Sequence, residues 1–130
     1  MTTLAIKSTK GGRTLSFNNR KGDHFDAEIS GDSISAKKKV WGHTDTRLLI
    51  DLFESLAKDW KGWEGERQWA SIEGDLRLTA TCDRWGHIQI EVYFHNNDPD
   101  DDWALSAPIF VDAGSLDLLA KEAKGFFSQK

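Results

Sequence analysis

The feature that most limits what this chain can fold into is a change of hydrophobic period that happens twice. Apolar residues first alternate with polar ones: Leu4 and Ile6, Leu15 and Phe17, then Phe25, Ala27 and Ile29, then Ile34, Ala36 and Val40. A period of two belongs to a strand with one buried face. In DTRLLIDLFESLAKDW, Leu48, Leu49, Leu52, Phe53, Leu56 and Trp60 instead fall three and four apart, as on a helix with one apolar stripe. Alternation then returns in the rows Leu76, Leu78, Ala80, Cys82 and Ile88, Ile90, Val92, Phe94. The chain closes with GSLDLLAKEAKGFF, a second helical stripe made by Leu116, Leu119, Ala120, Ala123 and Phe127.

Turn residues divide the alternating stretches. Gly11 and Gly12 suit a tight hairpin, NNRKGD reads as a polar loop, and Gly31 with Asp32 makes the next turn. Thr44 or Asp45 is placed to cap the first helix and Gly62 to end it. Gly74, the group Asp83 to Gly86 and the loop HNNDPDDD separate the later strands, and Pro108 makes the last one bent or an edge strand. The expected fold is α+β: a single antiparallel meander sheet of about six to eight strands with two helices packed on one face, in the order ββββα-ββββα. At 130 residues this is one domain spanning 1–130, with the other sheet face open.

Charge and composition exclude several function classes. A formal net charge of −4 disfavours generic binding to nucleic acid and favours a basic partner. No apolar run approaches the ~18 residues that span a bilayer, and MTTLAIKSTK lacks the apolar segment of a secretion signal, so a cytoplasmic location without membrane contact is expected. Cys82 is the only cysteine, which rules out an intrachain disulfide; its parity makes it a small buried hydrophobe.

No catalytic signature is legible. His24, His43, His87 and His95 show no metal-ligand spacing, and Asp98, Asp100, Asp101 and Asp102 lack the central Gly and closing Glu of a calcium loop. Phosphate-binding, dinucleotide-binding and nucleophile-elbow motifs do not occur. The expectation is therefore no catalytic, cofactor or metal residues and no enzymatic activity. The strands' outward parity is more informative: it carries Asp26, Glu28, Trp41, Trp69, Glu91 and Tyr93. Large amphipathic rings among mixed charge are what interface centres contain. Trp41, Trp69, Glu91 and Tyr93, with the acidic residues Asp98, Asp100, Asp101 and Asp102, form the candidate partner-binding set.

Half of the six tryptophans fall in WKGWEGERQW. Here Trp60 has the parity of the helix stripe, Trp63 is placed to plug a corner between helix and sheet, and Ala70 and Ile72 compete with Trp69 for the core. Together with EGDLRLTATCDRWGHIQIEVYF, this stretch resembles a small, largely uncharacterised family of bacterial cytosolic α+β proteins. The matching residues are Trp60, Gly62, Trp63, Glu64, Gly65, Trp69, Gly74, Asp75, Leu76, Gly86 and His87. In size, acidity and architecture the chain is also similar to immunity proteins of bacterial toxin systems, including contact-dependent growth inhibition. The second resemblance implies a toxin-neutralising protein acting by protein–protein binding; the acidic charge points to a basic cognate toxin, and the chain is expected as a monomer or, through the open sheet face, a homodimer. The alternative is a small enzyme or ligand-binding domain with a pocket near Trp63, Glu64 and His87.

Overall fold

In the computed structural model, residues 3–42 and 46–128 are described. Eight strands and two helices follow in the expected order: β1 (Leu4–Lys7), β2 (Thr14–Lys21), β3 (His24–Gly31), β4 (Ile34–Trp41), α1 (Thr46–Lys58), β5 (Arg67–Ala70), β6 (Leu76–Cys82), β7 (Ile88–Asn96), β8 (Trp103–Val111) and α2 (Leu116–Phe127). A 3-10 turn, Ala113–Ser115, leads into α2. No helix among the described residues is long and apolar enough to cross a membrane.

The strands do not form one meander. They make two four-stranded antiparallel sheets, ordered β1-β2-β3-β4 and β5-β6-β7-β8. Geometry explains the correction, since eight strands side by side span about 35 Å while two helices cover only about 20 Å. A single sheet would leave much of its apolar face wet. With two sheets, the inner rows Leu15, Phe17, Phe25, Ala27, Ile29 and Leu76, Leu78, Ile90, Val92, Phe94 join one contiguous core.

Each helix engages the sheet of the other half. Phe127 of α2 packs edge-on against Phe17 and Phe25, with ring centroids 5.5 Å and 5.2 Å apart. From β5, Arg67 donates to the carbonyl of Ser55 (2.9 Å) and to the Asp59 carboxylate (2.6 Å), clamping the end of α1. The first hairpin also ties the sheets together. Thr9 N–H donates to Phe110 O (2.8 Å), Phe110 N–H to Ser8 Oγ (2.9 Å) and Arg13 Nε to Pro108 O (2.8 Å). Pro108 thus sits in an edge strand, and Gly31 must lack a side chain because a Cβ there would collide with Gly12 O.

Several local readings change. The polar stretch NNRK is the end of β2, not a loop; a bulge at Asn19 (φ 52°) lets it continue, and the tight turn comes at Gly22. In α1 the buried stripe is Leu49, Ile50, Leu52, Phe53 and Leu56, so Leu48 stays 57% exposed. Trp60 lies beyond the last helical turn at 52% exposure, while half-buried Trp63 packs on the core under the Arg67 guanidinium, 5.1 Å from its ring. The capping candidates Thr44 and Asp45, and His43, lie outside the described residues.

Trp69 is the largest correction. Ser71 N–H donates to Leu76 O (2.9 Å), which sets the β5–β6 register so that Trp69 faces Leu78 on the inner side and is only 4% exposed. Ala70 therefore points outward, and Ile72 falls in the turn at 55% exposure. In α2, by contrast, all five expected inward residues are buried, together with Phe126.

Candidate partner-binding face

The C-terminal sheet turns a polar and aromatic face outward. Alternation along β7 points Glu91, Tyr93 and His95 away from the core, because Ile90, Val92 and Phe94 fill the inner row. The antiparallel register places Tyr93 between Arg77 on β6 and Ser106 on β8. The Arg77 guanidinium lies over the Tyr93 ring at 4.5 Å from its centroid, a cation–π contact that holds both side chains upright. His95 stands 6.1 Å along the strand from the same ring. Ser106 Oγ donates to the Glu91 carboxylate at 2.5 Å. The half-buried phenol is thus surrounded by oriented partners of both charges.

The acidic loop is fastened to this face. His95 Nε2 and Asp102 Oδ1 lie 2.9 Å apart, and Asn96 Nδ2 donates to Asp101 O (2.6 Å). Asp98 Oδ1 accepts the N–H of Asp100 (2.9 Å), and Asp98 O accepts that of Asp101 (3.0 Å), so the loop is a defined turn with all four carboxylates exposed. Of the sequence-derived candidates, the fold places Glu91, Tyr93 and, through His95, Asp102 on one face; Asp100 and Asp101 lie in the adjoining turn, and Asp98 lines a cleft with Lys38 of the other sheet. It does not bring Trp41 to them, which sits half-buried on β4 of the other sheet opposite His24, nor Trp69, which is core.

Parity alone could not show that Asp26 on β3, read as outward and wet, is only 7% exposed. The bulge brings Asn19 Nδ2 to its carboxylate (2.9 Å), and Lys39 (3.4 Å) and Lys37 (3.8 Å) flank it. The Asn19 hydrogen bond, helped by the two lysines and opposed by burial, holds the Asp26 carboxyl below the ordinary value of 3.8. The signal in the sequence was DAE opposite KKK, readable only once the β3–β4 register was known.

The cleft that His87 borders does not include the Trp63 and Glu64 expected beside it. It has a volume of about 380 Å³, and its other walls include Lys10, Thr81, Asp83, Gln89 and Phe110. In the turn before β7, Asp83 accepts the backbone N–H groups of Trp85 and His87 (both 2.9 Å) and pairs with His87 Nδ1 (2.9 Å). The His87 amide, more than any other group, lowers the Asp83 carboxyl from its ordinary value. Among the described residues, no three His, Cys, Asp or Glu side chains group as a metal site would require.

A protein-family model described as "Family of unknown function (DUF6228)" matches residues 6–130. The chain belongs to DUF6228. The match takes in every element from β2 onward and the second half of β1, the candidate face included. No curated protein matches the DUF6228 chain significantly. Among solved structures, the plant transcriptional regulator PBF-2 has a similar fold, with a TM-score of 0.50 and 9% sequence identity over 98% of this chain and 81% of that one. At that identity the likeness concerns the path of the backbone. The aromatic and acidic residues of the outer face belong to this DUF6228 chain's own sequence.

Proposed function

We propose that this chain is a toxin-neutralising immunity protein that acts by protein–protein binding in the bacterial cytosol. Its target is a basic cognate toxin, which it binds through the outer face of the C-terminal sheet. The observation that carries the reading is the convergence of Tyr93, held by Arg77, with Glu91 and the Asp98–Asp102 turn fastened through His95. A rigid aromatic at the centre supplies contact area at small entropic cost, and peripheral carboxylates steer a positively charged partner. The formal charge of −4 acts in the same direction.

The test is capture of the partner together with inspection of the genes beside this one. The expected result is a basic, toxin-like protein encoded next door that binds the wild-type chain and loses affinity for Tyr93→Ala. Failure to recover any specific partner, with no toxin-like reading frame adjoining the gene, would remove the proposal. A ligand-binding reading is favoured by one observation only, the cleft where His87 and Asp83 pair. It is checked by comparing thermal shifts of wild type and His87→Ala across a metabolite panel.

A further inference from the structure

The two sheets have four edge strands, and three are guarded. β8 is bonded along its outer edge by Thr9, Ser8 and Arg13 of the first hairpin. β4 carries Lys37, Lys38 and Lys39 in succession, a charge pattern that discourages strand addition. β1 is flanked by α2. β5 has a helix, α1, alongside it, as β1 has α2, but it carries no lysine, and among the described residues no strand or loop pairs with its outer edge.

The direction of its backbone follows from the register. Ser71 N–H bonds to Leu76 O, so the alternation of an antiparallel ladder makes Trp69–Leu78 and Arg67–Ala80 bonded pairs. Gln68 and Ala70 therefore turn their N–H and C=O groups away from β6, toward the open edge. Beside that edge runs a groove of about 510 Å³ between β5 and α1, with Leu48, Leu52 and Trp69 as apolar walls; its charged lining is Asp51 and Arg67, the latter already held by Asp59 and the Ser55 carbonyl. Leu48, which lines the groove, is among the most exposed large apolar side chains of the described residues.

We infer that β5 accepts an extended segment of a partner protein as a fifth strand of the C-terminal sheet, pairing with the backbone of Gln68 and Ala70. In a strand added there, every second side chain lies on the same side as Trp69 and enters the groove. The segment that fits offers an apolar residue to Leu48 and Leu52 with a basic neighbour for Asp51, whose exposed pair with Arg47 (3.3 Å) is weak enough to exchange. A second copy fits less well. Two-fold pairing of β5 with itself through Gln68 and Ala70 sets Trp69 opposite the copy's Trp69, a ring already buried in its own core and not free to fill the groove. The site is separate from the Tyr93 face and stands without the immunity reading.

The test pans a displayed library of linear peptides against the full-length protein, then measures the affinity of the enriched peptides for wild type, Ala70→Pro and Leu48→Glu. Ala70→Pro removes only the edge-facing N–H, which an edge strand tolerates, and Leu48→Glu alters an exposed position, so both variants fold. Their thermal unfolding checks this. The expected result is enrichment of peptides with an apolar residue beside a basic one. These bind each variant at least tenfold more weakly and slow hydrogen exchange at the Gln68 and Ala70 amides. The inference is overturned if nothing is enriched, if the enriched peptides bind Ala70→Pro as well as wild type, or if light scattering shows a dimer that Ala70→Pro dissociates.

Discussion

The two halves of the molecule share the order of four strands and a helix, yet they finish their outer faces in opposite ways. On the N-terminal sheet the central carboxylate, Asp26, is nearly buried and closed in by Asn19, Lys37 and Lys39. On the C-terminal sheet the central group is a half-exposed tyrosine, held upright by Arg77 and bordered by an acidic turn. A carboxylate satisfied from three sides stabilises its own sheet and offers little to a partner. An oriented ring with carboxylates at its rim keeps its contact surface available. The same topology thus carries one outer face closed around a carboxylate and one that presents an oriented ring, and the second is the face proposed for recognition.

The sharpest test of this division concerns the two strand tryptophans. Trp69→Ala removes a buried ring from the core and is expected to cost about 3–5 kcal/mol in denaturant unfolding, whereas Trp41→Ala costs about 1 kcal/mol. Equal losses would undo the assignment of Trp69 to the inner face. Next in size, Tyr93→Ala should change stability by less than about 1 kcal/mol while weakening partner binding by at least about 2 kcal/mol in titration calorimetry.

Asp26→Asn probes the closed face and should lower stability at neutral pH by roughly 1–2 kcal/mol. Because the folded carboxyl titrates below the ordinary value of 3.8, its contribution is fully present above that value and is lost as pH falls through the folded pKa. The gap between wild type and variant should therefore close in acid, and a gap that persists there would assign the loss to packing instead of charge. The smallest effect is expected at the acidic turn. Asp100→Asn with Asp101→Asn should leave stability within about 0.5 kcal/mol and slow association with a basic partner, most visibly at low salt.

Long alternating runs made much of this legible in advance. β6 and β7 each span several inward positions, so their parity is over-determined, and the five inward residues of α2 follow from one clean stripe. β5 has only four residues, and its parity is set by the hairpin bond from Ser71 to Leu76, which pattern alone does not contain. The split into two sheets was hidden because local alternation is the same whichever strand lies alongside. For the candidate face, Glu91, Tyr93 and the acidic turn were readable from parity and composition. The fastening through Arg77 and His95 and the closure around Asp26 depended on register and on a bulge, both properties of paired strands.

We propose that the outer face of the C-terminal sheet, and not that of the N-terminal sheet, binds the protein partner. This is tested most directly by titrating the captured partner into wild type, Tyr93→Ala and Trp41→Ala under one set of salt conditions. Tyr93→Ala is expected to weaken binding by roughly thirtyfold or more, while Trp41→Ala leaves it within about twofold. Unchanged affinity for Tyr93→Ala, or a larger loss for Trp41→Ala, would contradict it.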